Sequence, residues 1–169
     1  METKMETIFN IKYKNPIGDI DNDIDDELTH FQYALEELRR YVDCEFFIKL
    51  KGTYKVNIDL YPDITVCYEE IVKSIKRVKN NWTGKDDIWF CEQGSDFYFY
   101  YDINDKGVEL EYKKGPDVGI YNGKIPDMKL SISKIEYVQV WETLFEKLSM
   151  LIEEKLNKKI ILLILISVV

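Results

Sequence analysis

The chain has 169 residues, 46% of them hydrophobic and 32% charged, with a net charge of −8. That is one domain's worth of chain, able to bury roughly 70% of its unfolded surface without disulfide or metal, and disorder and low complexity are excluded. The negative balance argues against nucleic acid, which asks for clustered Lys and Arg, and suits a partner with a basic surface.

The acidity is concentrated: residues 1–46 carry −7 and residues 81–127 carry −5. The three cysteines, Cys44, Cys67 and Cys91, lack metal-ligand spacing and follow no signal-peptide pattern. Each sits in or beside an apolar pattern, so they read as buried small hydrophobes in a reducing, cytoplasmic setting.

In chain order, Met5 to Tyr13 alternates as a first strand, with Ile8, Asn10 and Lys12 opposite Phe9, Ile11 and Tyr13. The acidic run Asp19, Asp21, Asp23, Asp25, Asp26, Glu27 leads into a helix predicted over 25–41, whose stripe is Leu28, Phe31, Leu35, Leu38 and Val42. Phe46, Ile48 and Leu50, then Tyr54, Val56, Ile58 and Leu60, share one face of a hairpin that turns at Lys51 to Thr53. Pro62 closes its second strand. Asp63 is placed to cap a helix from Ile64, with Tyr68, Ile71, Val72, Ile75 and Val78 on one side and basic residues late.

Asp86 to Lys113, DDIWFCEQGSDFYFYYDINDKGVELEYK, reads as three strands with turns at 93–96 and 104–107. Its middle strand, Phe97 to Tyr101, is aromatic throughout and needs cover on both faces, so it belongs inside a sheet. Gly115 to Pro126 reads as a loop, and Met128, Leu130 and Ile132 as one more short strand. Ser133 and Glu136 have capping-box spacing before a long helix to about Asn157, striped by Ile135, Val138, Trp141, Leu144, Phe145, Leu148, Leu151, Ile152 and Leu156. Residues 1–159 thus form one domain, and 160–169, IILLILISVV, a hydrophobic tail too short to span a bilayer. Rich in β-branched residues, the tail suits pairing as a strand or lying in a groove.

Catalytic sets are missing from this pattern. The single histidine, His30, lies off the helical stripe, and no serine elbow, Cys–His couple, phosphate loop or HExxH occurs. Asp19, Asp21, Asp23 and Asp25 imitate the front of a calcium loop, but Ile24 stands where glycine must turn the chain and His30 where a bidentate Glu belongs. No metal or cofactor is expected. The acidic run reads better as steering for a basic partner, and Trp82, Trp89, Tyr98, Tyr100 and Tyr112 as aromatic anchors on an exposed face.

The meander quoted above and the capped closing helix SKIEYVQVWETLFEKL together resemble the small acidic α+β immunity proteins encoded beside bacterial polymorphic or contact-dependent toxins. The resemblance implies a non-enzymatic protein that neutralises a cognate toxin by tight binding, and carries over no catalytic residue. The expected architecture is α+β, a single antiparallel sheet of about five to seven strands with three helices packed mainly on one face. Two other functions fit the same pattern: a small-molecule-binding domain or carboxylate-based hydrolase with a Tyr-lined pocket, and a structural subunit assembling through its hydrophobic tail.

Overall fold

A computed structural model describes residues 4–16 and 27–162. Among these the elements run β1 (Met5–Tyr13), α1 (His30–Leu38), β2 (Val42–Leu50), β3 (Tyr54–Asp59), α2 (Leu60–Lys79), β4 (Gly84–Phe90), β5 (Phe97–Asn104), β6 (Gly107–Lys114), α3 (Ile120–Gly123), β7 (Met128–Ile132) and α4 (Lys134–Leu156). The class is α+β as expected, but the single sheet is not found. The strands form two antiparallel sheets, ordered β1-β2-β3 and β4-β5-β6-β7.

The outer edge of β3 is where the first sheet stops. There the buried side chain of Asn122 accepts from the Asn57 N–H (2.8 Å) and donates to the Asn57 carbonyl (2.7 Å). It thus imitates one residue of a neighbouring strand, and a strand edge whose groups are already paired does not recruit another. Asn122 belongs to α3, a single turn inside the segment expected to be plain loop.

Local chemistry sets the helix starts. Thr29 and Gln32 form a reciprocal capping box, so α1 begins at His30 rather than at 25, and Val42 opens β2 instead of closing the helical stripe. α2 begins four residues earlier than expected, at Leu60. Pro62 fits its first turn because the N–H it lacks has no intrahelical partner there. Asp59 occupies the cap position without a side-chain hydrogen bond, and Asp63 instead turns back to accept its N–H (2.9 Å). In α4 Ser133 accepts from the Glu136 N–H (3.1 Å). The Glu136 carboxylate reaches not to its own cap but to the N–H groups of Lys4 (2.6 Å) and Met5 (2.8 Å), which fastens β1 to the start of α4. Ile135 is exposed, and Tyr137 takes the inward position expected of it.

One core joins both sheets. α2 packs against β2, β3 and β4, while α4 packs against β1 and β6. At their crossing with α1, the rings of Phe31, Tyr68 and Phe145 meet pairwise at 5.1–5.8 Å. β5 lies inside its sheet, and Phe97, Phe99 and Tyr101 are buried against Phe90, Tyr112, Trp141 and Tyr137. The left-handed Asn157 (φ 51°) ends α4. Ile160 packs on the core and Leu162 is buried while Ile161 is exposed, so the start of the tail lies on its own domain. The rest of that tail, 163–169, lies outside the described residues.

Candidate functional site

Side chains alternate across a strand, so burying Ile88, Phe90, Phe97, Phe99 and Tyr101 beneath the helices turns Trp89, Tyr98 and Tyr100 to the other side. Register does the rest. Trp89 lies directly opposite Tyr98 across the β4–β5 ladder, with rings parallel within 6° and centroids 5.6 Å apart. Tyr98 stacks on Tyr100, two residues along, at 5.2 Å and 13°. Trp89 is 48% exposed and Tyr100 37%, with Tyr98 half-buried between them.

This stacking decides what the row can grip. Rings packed face to face cover one another's flat surfaces and present edges and polar tips outward, leaving only the two end faces open.

Asp96 anchors the row. Its Oδ1 accepts from the Trp89 indole N–H (3.1 Å) and its Oδ2 from the Asp117 N–H (2.8 Å), while its carbonyl accepts from the Gly115 N–H (2.8 Å). One residue in the β4–β5 turn thereby fixes the indole and the start of the segment leading to α3. That segment delivers two more exposed apolar side chains, Ile120 and Tyr121, the latter in ring contact with Phe47 of β2 at 5.9 Å.

Charges surround the aromatic row. Asp87 lies opposite Tyr100, and Asp102, Glu109 and Glu111 follow across β5 and β6. Burial, then Asp86, pushes the Asp87 carboxyl up. Burial, then Tyr100 and the nearby carboxylates, pushes the Tyr98 hydroxyl up. Lys85 approaches Asp102 at 3.6 Å and Lys129 approaches Glu111 at 3.5 Å. Both lysines are largely exposed, so these pairs hold the carboxylates weakly. Together with Tyr100 and Glu109 they line a shallow depression of about 260 Å³.

Of the residues singled out in the sequence, Trp89, Tyr98 and Tyr100 come together. Tyr112 does not: its register opposite Phe99 turns it to the helix side, where it is fully buried and donates its hydroxyl to the Asn122 carbonyl (3.2 Å). Trp82 is also elsewhere. It lies beneath the Arg77 guanidinium (4.1 Å), its ring fills the space over Gly84, and it borders a groove of about 490 Å³ along α2 with Val72, Lys73 and Lys76. Glu27 is exposed, and Asp19, Asp21, Asp23, Asp25 and Asp26 lie outside the described residues. His30 is exposed, and of the three cysteines expected to be buried only Cys67 is: Cys44 is half-buried and Cys91 exposed.

Asp96, Asn122, Ile120 and Tyr121 escaped the sequence reading, because turn and loop residues carry no periodicity. For Ile120, Tyr121 and Asn122 the run Gly-Ile-Tyr-Asn-Gly, with two apolar side chains between glycines, was the only signal. Among the described residues no group of three or more His, Cys, Asp or Glu is placed to hold a metal ion, and no helix is long and apolar enough to cross a membrane. No protein-family model matches the sequence, and no curated protein and no solved structure matches the chain.

Proposed function

We propose that this chain is a non-enzymatic protein-binding module, an immunity protein that neutralises a cognate toxin by tight binding in the cytoplasm. The observation that carries this reading is the Trp89–Tyr98–Tyr100 row, three stacked rings standing on the open face of a sheet whose other face is filled. Trp and Tyr are enriched among the few residues that dominate binding energy at protein interfaces, and rings already stacked lose little freedom on docking. Weakly held Asp102 and Glu111, with the net charge of −8, favour a partner with a basic surface.

A ligand pocket is the competing reading; among the described residues the groove of about 490 Å³ is open and lined by one face of α2 with Asn80 and Trp82, away from the aromatic row, which leaves the depression beside Tyr100. At about 260 Å³ it is open and smaller than the roughly 300–1,000 Å³ in which small-molecule sites enclose their ligands. Calorimetry with the product of the adjoining gene, at two salt concentrations, tests the proposal. Binding is expected that weakens with salt and falls at least about tenfold in Trp89→Ala or Tyr100→Ala. Absence of binding at both salt concentrations overturns the immunity assignment, and undiminished binding by both variants overturns the assignment of the face.

A further inference from the structure

We propose that Asp63 is a pH-operated latch on the β4–β5 turn, and through that turn on the position of Trp89. The latch stands on the geometry of the free chain, while its consequence for a partner rests on the docking face assigned above.

Asp63 is fully buried in the first turn of α2. Its Oδ2 accepts from the Asp59 N–H (2.9 Å) at the end of β3 and from the Ser95 hydroxyl (2.6 Å) in the turn. Its Oδ1 is buried with no hydrogen-bond partner. Ser95 is buried too, and its N–H donates to the Glu92 carbonyl (2.9 Å), so the carboxylate closes the turn onto the helix. The next residue is Asp96, which holds the Trp89 indole and the Asp117 N–H.

A carboxylate with one oxygen facing no donor is a poor home for a charge. The groups around it reinforce this: Asp59 from β3 and Glu92 from the turn are acidic, and Cys67, one helical turn on, carries a thiol pushed up by burial and then by Asp63 itself. Burial raises the Asp63 carboxyl, the Ser95 hydroxyl and Asp59 N–H oppose the rise, and the result is a value of about 6. The closed turn therefore binds the proton more tightly than any arrangement that lets water reach Asp63. By linkage, closure is favoured most below the ordinary carboxylate value and is penalised as pH rises toward 6. Neutral pH loosens the turn, and with it the acceptor that fixes Trp89.

Hydrogen exchange followed by NMR on the free chain tests this, using the amides of Ser95 and Gly115, whose acceptors are Glu92 and Asp96. Corrected for intrinsic exchange, their protection is expected to fall about tenfold between pH 5 and pH 7.5, and to stay level in Asp63→Asn. Level protection in the native chain, or an equal fall in the variant, overturns the latch. Should Asp63→Asn not fold, the carboxyl-carbon titration of Asp63 in the native chain decides: a midpoint near 6 supports the latch, and an ordinary carboxylate midpoint overturns it. Neither measurement needs a partner, so a working latch in a chain that binds nothing would count against the docking reading alone.

Discussion

Replacing Asn122 by Ala removes the clip that closes the outer edge of β3. The side chain makes two hydrogen bonds, at 2.8 and 2.7 Å, to the donor and acceptor of one residue, Asn57, and is itself 4% exposed. At about 1 kcal/mol net for each bond, with an added penalty because the freed Asn57 groups are only half accessible to water, the loss is about 2–3 kcal/mol. For a chain of this size that lowers the thermal midpoint by about 5–10 °C. In urea it moves the midpoint with an unchanged slope, because the amount of surface exposed on unfolding stays the same. Asn122→Asp separates the clip from simple burial. It keeps an acceptor for the Asn57 N–H but sets a carboxylate oxygen against the Asn57 carbonyl, so at neutral pH it should cost at least as much as Ala. A loss below about 0.5 kcal/mol in Asn122→Ala, within the range of ordinary surface changes, or native stability in Asn122→Asp, would refute the idea that this side chain terminates the sheet.

Asp86 is exposed on about a quarter of its side chain, and although burial pushes it up, Lys73, the Asp87 N–H and Arg77 outweigh that and hold it at about 2. A carboxyl lowered on folding stabilises above its ordinary range and loses that contribution as pH falls from about 4 to 2; denaturation across that window should show about 2 kcal/mol lost in the native chain and little change in Asp86→Asn. Gly107, at φ +155°, has no room for a Cβ, which would collide with the Ile132 carbonyl of β7. Gly107→Ala should therefore cost about 2–4 kcal/mol by chemical denaturation, and a neutral result would mean that β6 and β7 are not in this register. Glu136→Ala frees the N–H groups of Lys4 and Met5 and removes a favourable charge from the α4 start. It should cost about 1–2 kcal/mol, with amide exchange quickening in β1 before any other strand.

What could be read from the sequence was whatever repeats locally. The buried stripes of α2 and α4, the β2–β3 hairpin and the aromatic β5 between two partners all follow from periods of 3.6 and 2, because one buried face imposes its spacing on neighbouring residues. Tyr98 and Tyr100 fell on the same side for that reason. Which side would be open could not be read, since it depends on where Tyr137 and Trp141 arrive from forty residues downstream. Tyr112 shows the limit: its own strand alternates correctly, but its face is set by the Asn104–Gly107 turn, which places it opposite Phe99 rather than opposite Tyr98.

Three long-range placements share one cause. The closure of the outer edge of β3 depends on Asn122 reaching Asn57, 65 residues away; the attachment of β1 depends on Glu136 reaching Met5, 131 residues away; the seat of the β4–β5 turn depends on Asp63 reaching Ser95, 32 residues away. In each a single polar side chain completes the hydrogen bonding of a backbone or hydroxyl group that regular structure leaves open. Such a residue has the composition of an ordinary turn or cap and no period to betray it. The same economy governs the face where Trp89 stands: of the three rings legible from alternation, Trp89 is fixed by Asp96, whose role exists only once β4, its turn and the Gly115–Asp117 segment have met. Substitution of Asp96 would leave the three rings on their strands and their stacking intact while removing the acceptor of the Trp89 indole, so what the turn controls is the orientation of Trp89 and not the presence of the rings.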